Sequence, residues 1–323
     1  MLVKLTGFSD YPILRQTRRQ LGLWGGFQFF NDEEEDRPYD FWVVYGNINR
    51  PLQALCPPER LVLVTGEPPS VDYYPPGFTK QFCRVITSHR RIKHPDRHLE
   101  QQGLPWHVGR RQENHQSLSY SKDYDELCAI EELPKSKLIS VISSNKRLSK
   151  GHRARLDFVM KLKDHFGDQI DLFGRGLAEI ADKWDALAPY RYHVCIENSA
   201  ADDYWTEKLS DSYLALSYPL YYGCPNLTHY FEADSFRAID IHRPDQAIQT
   251  IQAALDQDLY GQSLGALQEA KTLVLKEYNL FALLARHLGE LAERPAGPPQ
   301  PVWIKPYLWQ QKVGRQLIKR LGL

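Results

Sequence analysis

The sequence predicts an α/β protein built from two Rossmann-like domains that face each other across a cleft. Short apolar, β-favouring segments alternate with helical or loop segments, which is the pattern of parallel sheets. The chain has 323 residues, and this length favours two domains of about 150 residues each. A polar region ends near residue 135, and a new strand begins soon afterwards. The predicted domains are therefore residues 1–135 and 136–294, followed by a Pro-rich linker and a C-terminal segment at 295–323.

Composition and charge narrow the classes of function. Lys and Arg together number 40, as do Asp and Glu, so the net charge is zero and a nucleic-acid partner is not indicated. The sequence has no run of about 18 apolar residues, so it predicts no membrane span. Met1 to Leu5 reads as a first strand rather than as a signal peptide. The five cysteines lack CxxC spacing, which favours reduced thiols over disulfides or zinc. These observations together predict a cytoplasmic protein.

The first half of the chain supplies the elements of the first predicted domain. Apolar Ile13 and Leu14, with arginines on the opposite side, predict one helix over residues 11–21. The run FWVVY is the strongest signal of a buried strand. Strands are predicted from such apolar runs at residues 2–5, 27–30, 41–45, 61–65 and 82–87.

A basic segment with three histidines, Ser88 to His98, follows these strands. A metal site is one reading, but no carboxylate or cysteine there completes a known ligand spacing. The prediction is therefore a solvated basic loop that contacts an anionic substrate.

The second half of the chain repeats the same alternation of strands and helices. Strands are predicted at residues 138–143, 170–173, 192–196, 219–222 and 238–241. Helices are predicted at residues 152–166, 206–216, 245–259 and 264–288.

The stretch from Tyr192 to Pro225 is the centre of this second domain. It reads as a strand, a polar loop, a helix and a second strand, which together form one βαβ unit. Ligands of such sheets bind beyond the carboxyl ends of the strands. Glu197, Asn198 and Ser199 fall at such an end, and the helix that starts near Thr206 presents amide groups that favour an anion.

Two adjacent charged residues, Glu207 and Lys208, begin that helix. A lysine beside helix-start amides is suited to a phosphate, and a neighbouring carboxylate can accept from ribose hydroxyls. The chain contains neither GxGxxG nor GxxxxGK[ST], so side chains rather than a glycine-rich loop would hold a nucleotide. The alternative is the capped, charged first turn of an ordinary surface helix.

The spacing of these residues resembles a known donor-binding signature. Glu197 to Ser199, then Asp203 to Leu209, then Pro219 and Gly223, are similar to the pattern of the α-1,3-fucosyltransferases, glycosyltransferase family 10. The resemblance covers residues 138–258 and includes the segments SSN, RLDF and IDLFGRG. In the first half it is restricted to Thr65-Gly66-Glu67-Pro68.

The resemblance implies a GT-B fold whose C-terminal domain binds the donor and whose N-terminal domain binds the acceptor. It implies inverting transfer of L-fucose from GDP-fucose to a glycan hydroxyl, in α-1,3 linkage to a GlcNAc-containing acceptor. No cofactor or divalent metal is implied as essential. Two alternatives stay open: the same fold with another GDP-sugar, and a non-catalytic protein that binds a sugar nucleotide or glycan.

The resemblance also implies roles for individual residues. It implies that Arg155 and Lys208 neutralise the donor diphosphate and that Glu207 accepts from the ribose hydroxyls. It further implies that Asn198 and Tyr204 contact the phosphates or the sugar. Glu67 is implied as the general base. Secondary candidates are Glu197, Ser199 and Asn145 on the donor side and Asp72 as a rival base. No metal ligand is assigned.

Some positions depart from the family pattern. Trp205 stands where a small aliphatic residue is usual, Tyr218 replaces a smaller residue, and Pro69 follows Glu67-Pro68. These departures leave the donor sugar and the acceptor open.

The C-terminal segment, Val302 to Leu323, carries five basic residues and no acidic one. Trp309, Val313, Leu317 and Leu321 are spaced four apart and predict an amphipathic helix. Such a helix suits the inner face of an anionic membrane, and bacterial family members act there on lipid-linked glycans such as lipopolysaccharide. The alternative is a terminal helix packed on the body of the protein.

Overall fold

The computed structural model describes residues 1–9, 11–31, 37–113, 116–143 and 150–307. The strands in chain order are β1 (Leu2–Thr6), β2 (Leu23–Trp24), β3 (Phe27–Asn31), β4 (Phe41–Tyr45), β5 (Leu52–Cys56), β6 (Leu61–Val64), β7 (Arg84–Thr87), β8 (Arg97–Leu99), β9 (Arg110–Glu113), β10 (Gln116–Tyr120), β11 (Lys137–Ile142), β12 (Ile170–Phe173), β13 (Tyr190–Ile196), β14 (Tyr218–Tyr222), β15 (Arg237–Ala238) and β16 (Gln300–Ile304). The helices are α1 (Pro76–Thr79), α2 (Tyr124–Ala129), α3 (Lys150–Phe166), α4 (Glu207–Leu214), α5 (Pro244–Asp256), α6 (Leu259–Gln262), α7 (Leu264–Lys276) and α8 (Leu280–Ala292).

The chain folds into two compact units. The first comprises Met1–Ile13, Gly22–Gln102 and the residues from Ala285 onward, and the second comprises Leu14–Leu21 and Gly103–Leu284. The first unit thus ends its long segment at Gln102 rather than near residue 135. The reason lies in packing, because Trp106, Val108 and Leu127 are buried in the same hydrophobic core as β11 and β13.

The first unit is organised around one sheet with the strand order β2-β3-β1-β4-β6-β7-β8. All neighbouring strands in it are parallel except β2 and β3. Trp42, Val44, Leu63 and Val85 are each fully buried in the core cluster of this unit. Strands buried on both faces read as continuous apolar runs, which explains why FWVVY and LVLV were predictable.

The second unit contains a parallel sheet with the strand order β12-β11-β13-β14-β15. Its central strand β13 is buried at every residue except Arg191. Helix α4 connects β13 to β14 and packs on both strands. The predicted βαβ unit at Tyr192 to Pro225 is therefore present, and its polar loop follows the carboxyl end of β13.

Three predicted elements differ from the structure. The single helix expected over residues 11–21 is instead two 3₁₀ turns, Ile13–Gln16 and Arg18–Gln20, because Arg19 and Gln20 adopt positive φ angles of 51° and 57°. The strand expected at 238–241 is the short pair Arg237–Ala238.

The third difference is a break in the long helix expected over residues 264–288, which separates α7 from α8. The fully buried Asn279 lies at the break. Its Nδ2 donates to the Leu275 carbonyl at 3.2 Å, and its Oδ1 accepts from the Phe281 amide at 3.0 Å. One side chain therefore ends α7 and caps α8.

The C-terminal segment begins with a strand that the sequence did not predict. β16 pairs antiparallel with β5, with Val302 opposite Ala54 and Ile304 opposite Leu52. Ile304 is fully buried in the first core, so burial as well as pairing with β5 stabilises this strand. The residues whose spacing predicted a helix, from Trp309 to Leu321, lie outside the described residues.

Candidate functional site

A cavity of about 360 Å³ lies at the carboxyl ends of β11, β12 and β13 in the second unit. This is the edge at which open parallel sheets bind ligands. The polar and small residues of its lining include His107, Ser143, Arg155, Gly174, Lys183, Asn198, Glu207, Lys208 and Asp211. The cavity therefore collects four of the predicted donor-binding residues, Arg155, Asn198, Glu207 and Lys208.

Gly174 permits the ends of β11 and β12 to approach closely. Its φ angle is +119°, and a Cβ atom added to it would lie 1.8 Å from the Ser143 carbonyl oxygen. The Ser143 amide donates to the Phe173 carbonyl at 2.8 Å and extends the pairing of the two strands. Only glycine fits this position, which forms part of the cavity wall.

Glu197 fixes the start of helix α4 to the end of β13. Its side chain is fully buried, and its two carboxylate oxygens accept from the amide and the hydroxyl of Thr206 at 2.8 and 2.7 Å. Thr206 is the N-cap of α4, and its hydroxyl accepts from the Lys208 amide at 3.3 Å. Burial raises the pKa of Glu197, and the ammonium group of Lys208, 3.6 Å away, partly opposes this.

Glu207 and Lys208 form a paired acid and base in the first turn of α4. Lys208 Nζ lies 3.1 Å from Glu207 Oε1, and Lys183 Nζ lies 3.5 Å from the same oxygen. Burial alone would raise the pKa of Glu207, but Lys208 and Lys183 hold it well below its usual range. Burial would likewise lower the pKa of Lys208, but Glu207 and Glu197 raise it. Both residues of the pair are therefore ionised at neutral pH.

Arg155 reaches the cavity from helix α3. Its Nη1 donates to the Asn198 side-chain oxygen, while its buried Nε has no hydrogen-bond partner among the described residues. The buried hydroxyl of Ser143 is also without a partner in the part of the chain that the structure describes. Unpaired buried donors are costly, so these groups indicate a site that a ligand with acceptor oxygens completes.

The other predicted donor-side residues are placed differently. Tyr204 is only 3% exposed and, like Ser199, lies outside the described lining of the cavity. Asn145 lies outside the described residues. The cavity geometry therefore leaves the predicted roles of these three residues without direct support.

The two unusual aromatic residues have packing roles. Trp205 is 3% exposed, and its ring centroid lies 5.2 Å from that of Phe231 and 5.5 Å from that of Tyr278. Tyr218 is 1% exposed and meets Tyr192 edge to face at 5.8 Å. These aromatic clusters account for the departures from the family pattern at both positions.

Several cavity residues were not predicted from the sequence, and His107, Lys183 and Asp211 are among them. Lys183 lies in a 3₁₀ turn after Asp182, and Asp211 lies on α4 one turn after Glu207. The (i, i+4) spacing of Glu207 and Asp211 was a usable signal, since it places both carboxylates on one helix face. The positions of His107 and Lys183 depend on tertiary packing.

Glu67 lies in the first unit, directly beyond the end of β6. Its side chain is exposed, and its carbonyl oxygen accepts a hydrogen bond from Nε2 of His89 at 2.6 Å. His89 is 4% exposed, and its amide donates to the Thr87 hydroxyl at 2.9 Å. The predicted solvated loop at Ser88 to His98 is therefore wrong for Ser88, His89 and Ile92, which are buried, and for its last two residues, which lie in β8.

Asp72, the rival carboxylate, is already bonded within the first unit. Its Oδ1 accepts from the Tyr307 hydroxyl at 3.0 Å and from the Tyr73 amide at 2.8 Å, and its Oδ2 accepts from the Asn47 side chain. A carboxylate held by three donors is suited to fixing a loop. The more exposed Glu67 is the better candidate for a general base.

A group of metal-ligand type is also present in the first unit. The ligand atoms of His98, Glu100 and His287 lie within 4.8 Å of one another. However, Arg84 Nη1 approaches His287 Nδ1 at 3.1 Å as a donor, so the Nε2 proton of His287 is directed to Glu100. Arg286 binds the other oxygen of Glu100 at 2.6 Å. His287 Nδ1 thus accepts from Arg84, and each oxygen of Glu100 accepts from a protein donor, so the contacts of this group are explained by hydrogen bonds and ion pairs within the protein.

Among the residues that the structure describes, no helix combines the length and the apolar content needed to cross a bilayer.

Comparisons with known proteins find likenesses to part of the second unit and to the fold. Residues 133–262 match the model of the glycosyltransferase family 10 (fucosyltransferase) C-terminal domain. The α-(1,3)-fucosyltransferase FucT of Helicobacter pylori is 33% identical over 73 residues, which are 22% of this chain and 15% of that protein. The match thus spans well under two thirds of that curated relative.

Solved structures extend the likeness to most of the chain. A crystal structure of α1,3-fucosyltransferase with GDP-fucose aligns with 93% of this chain and 92% of its own, at 17% identity and a TM-score of 0.51. A second, with GDP, covers 87% and 92% of the two chains at 16% identity and a TM-score of 0.50. This likeness confirms the predicted α/β fold class of GT-B type. Residues 133–262 are thus similar to the C-terminal domain of glycosyltransferase family 10, as the motifs around Glu207 predicted.

Proposed function

We propose that this protein is an inverting glycosyltransferase that moves L-fucose from GDP-fucose to a hydroxyl of a glycan acceptor. The observation that carries the proposal is the cavity at Glu207 and Lys208, within the family 10 domain. Two solved structures of similar fold contain GDP and GDP-fucose, which supports the choice of donor. An α-1,3 linkage to a GlcNAc-containing glycan is the acceptor chemistry that the family motifs favour.

In this proposal the cavity binds the nucleotide part of the donor. Arg155 and Lys208 neutralise the diphosphate, and Glu207 accepts from the ribose hydroxyls. Asn198, held by Arg155, contacts a phosphate or the sugar. Tyr204 is also proposed to contact a phosphate or the sugar, and its buried side chain must move to do so.

The same cations assist departure of GDP. As the bond to the sugar breaks, negative charge develops on the β-phosphate, and fixed positive groups aimed at that charge lower the barrier. The field of the α4 N-terminus contributes only about 0.3–1 kcal/mol when exposed. Arg155 and Lys208 therefore carry more of the stabilisation in our proposal, which invokes no cofactor and no essential divalent metal.

Glu67 is the proposed general base. Inversion in one displacement requires a base within hydrogen-bond reach of the acceptor hydroxyl, on the side opposite the leaving group. The exposed carboxylate of Glu67 and the anchoring of its backbone by His89 suit this task. Such a base removes the proton from the hydroxyl as its oxygen attacks the anomeric carbon.

Binding and turnover of GDP-sugars test the proposed function. The wild-type protein should bind GDP in calorimetry and should hydrolyse GDP-fucose slowly, with release of GDP and fucose. A panel of other GDP-sugars in the same assays identifies the donor, since the correct sugar raises both affinity and turnover. Absence of GDP binding at millimolar concentration would refute the proposal. Where GDP binds, a screen of glycan acceptors with the preferred donor identifies the acceptor.

The acceptor is proposed to be lipid-linked, with the enzyme at the cytoplasmic face of a membrane. The support is the sequence of residues 308–323, which includes Lys312, Arg315, Lys319 and Arg320 and no acidic residue. Deletion of residues 308–323 should abolish sedimentation with vesicles that contain anionic lipids and leave GDP binding intact. Equal sedimentation of the full and shortened chains would contradict membrane association through this segment.

A further inference from the structure

One wall of the cavity is a closed ring of His107, Lys183, Glu207 and Asp211, here called the Lys183 ring. Lys183 Nζ lies 3.1 Å from Asp211 Oδ2 and 3.5 Å from Glu207 Oε1. Asp211 Oδ1 accepts from the backbone amides of His107 and Val108 at 2.9 and 3.1 Å. The imidazole of His107 completes this cluster, with its Nδ1 atom 3.7 Å from Glu207 Oε1.

The ring holds three separate segments of the second unit together. Lys183 comes from the turn before β13, His107 from the segment before β9, and both carboxylates come from α4. Asp211 is 1% exposed, and its other partners are backbone amides. Asp211 therefore anchors Lys183, and Lys183 in turn meets the ligand-facing carboxylate of Glu207.

Charges in the ring are set by burial and by close partners. Burial would lower the pKa of Lys183, but Asp211 and Glu207 raise it, so the ammonium group persists. Burial and the nearby Lys183 together lower the pKa of His107 to about 3, so its imidazole is neutral at physiological pH. Lys183 is accordingly the ring member that supplies positive charge to Glu207.

The two carboxylate oxygens of Glu207 differ in the contacts that they make. Lys183, Lys208 and His107 all approach Oε1. Within the described part of the chain, the Glu207 carboxylate accepts a hydrogen bond on Oε1, from Lys208 Nζ at 3.1 Å, and none on Oε2. Because Glu207 lines the cavity, Oε2 is left to accept hydrogen bonds from a ligand. An ionised carboxylate only accepts, so the matching ligand group is a hydroxyl rather than a phosphate oxygen.

We propose that Lys183 is a positioning residue for nucleotide selection. By holding Oε1 and keeping the carboxyl ionised, it directs Oε2 of Glu207 to the ribose hydroxyls of the nucleoside diphosphate. The enzyme thereby prefers a ribonucleotide over one whose sugar lacks these hydroxyls. This inference rests on the proposed GDP-sugar function and deepens it, since it concerns which nucleotide the same cavity accepts.

The test compares the affinities of GDP and 2′,3′-dideoxy-GDP for four forms of the full chain: wild type, Lys183→Met, Lys183→Arg and Glu207→Gln. Hydrogen bonds to a charged acceptor should give the wild type a preference for GDP of about 10–100-fold. Lys183→Met should reduce this preference to near that of Glu207→Gln, and Lys183→Arg should restore most of it. The ratio of the two affinities isolates the ribose contact, because loss of positive charge near the diphosphate weakens both nucleotides equally.

A pH series provides a second readout. Without Lys183 the pKa of Glu207 rises, because one of the two ammonium groups that lower it is gone. As the pH is lowered, the remaining preference of Lys183→Met for GDP should therefore begin to fall at a higher pH than the preference of the wild type does.

Lys137→Met is the matched control. Lys137 belongs to the same unit and pairs with Asp171 at 3.0 Å, but its side chain is exposed, so this variant should keep the wild-type ratio. Should Lys183→Met fail to fold, Lys183→Gln retains a donor for Asp211 and takes its place. Equal weakening of GDP and dideoxy-GDP by the substitution would overturn the inference. Failure of the wild type to bind either nucleotide would instead refute the proposed function.

Discussion

Replacement of Glu67 by glutamine is expected to reduce the rate of fucose transfer by about 10²–10⁴-fold, the usual contribution of a general base. The amide keeps the size of the side chain but accepts no proton at neutral pH. Affinity for GDP should be unchanged, because the nucleotide cavity is lined by residues of the second unit. Initial rates with GDP-fucose and an acceptor, together with calorimetric titration of GDP, measure both quantities.

Asp72→Asn is the discriminating companion to that variant. The Asp72 carboxylate accepts from three donors, so the Asp72→Asn substitution should lower stability more than it lowers turnover. Loss of turnover in Asp72→Asn, with full activity in Glu67→Gln, would transfer the role of base to Asp72. Normal turnover in both variants would favour a mechanism without either carboxylate, or a protein that binds a glycan and performs no transfer.

Replacement of Glu197 by alanine should have the largest effect on stability. The fully buried carboxylate binds the Thr206 amide and hydroxyl and lies 3.6 Å from Lys208 Nζ. Its removal leaves the Thr206 amide and hydroxyl buried without this acceptor, at a cost of about 1–3 kcal/mol for each group, while Lys208 keeps Glu207 as a partner. Urea unfolding monitored by circular dichroism measures the loss, and GDP affinity should fall with it because α4 carries Glu207 and Lys208.

Glu179→Ala provides the comparison for this prediction. Glu179 is exposed in the same unit, and substitutions at such sites change the free energy of unfolding by about 0.5 kcal/mol or less. The free energy of unfolding of Glu197→Gln should lie between those of Glu197→Ala and Glu179→Ala, because the amide oxygen of glutamine still accepts from one Thr206 donor. A Glu197→Ala protein as stable as Glu179→Ala would show that Glu197 does not anchor the helix.

Local signals explain which parts of the fold and site were predictable. The central strands β4 and β6 of the first unit are continuous apolar runs. Helix α4 begins after a threonine N-cap with Glu207 in its first turn, which is a short-range pattern. Four of the predicted donor residues line one cavity because strand ends of a parallel sheet meet at one edge.

Features that depend on distant segments were not predictable. Lys183 and His107 gain their roles only where three segments meet, and neither lies in a motif. β16 is a strand because β5, far earlier in the chain, offers it an edge. The break between α7 and α8 follows from the buried position of Asn279, whose Nδ2 also donates to the Gln16 carbonyl.

The pairing of β16 with β5 has a consequence for the order of events during synthesis. Chains fold as they leave the ribosome, from the N-terminus onward. The first unit needs β16 to cover the edge of β5 and to place Ile304 in its core. All of the residues of the second unit, by contrast, have been made once Leu284 is added. The cavity at Glu207 and Lys208 can therefore form on a nascent chain whose first unit is still incomplete.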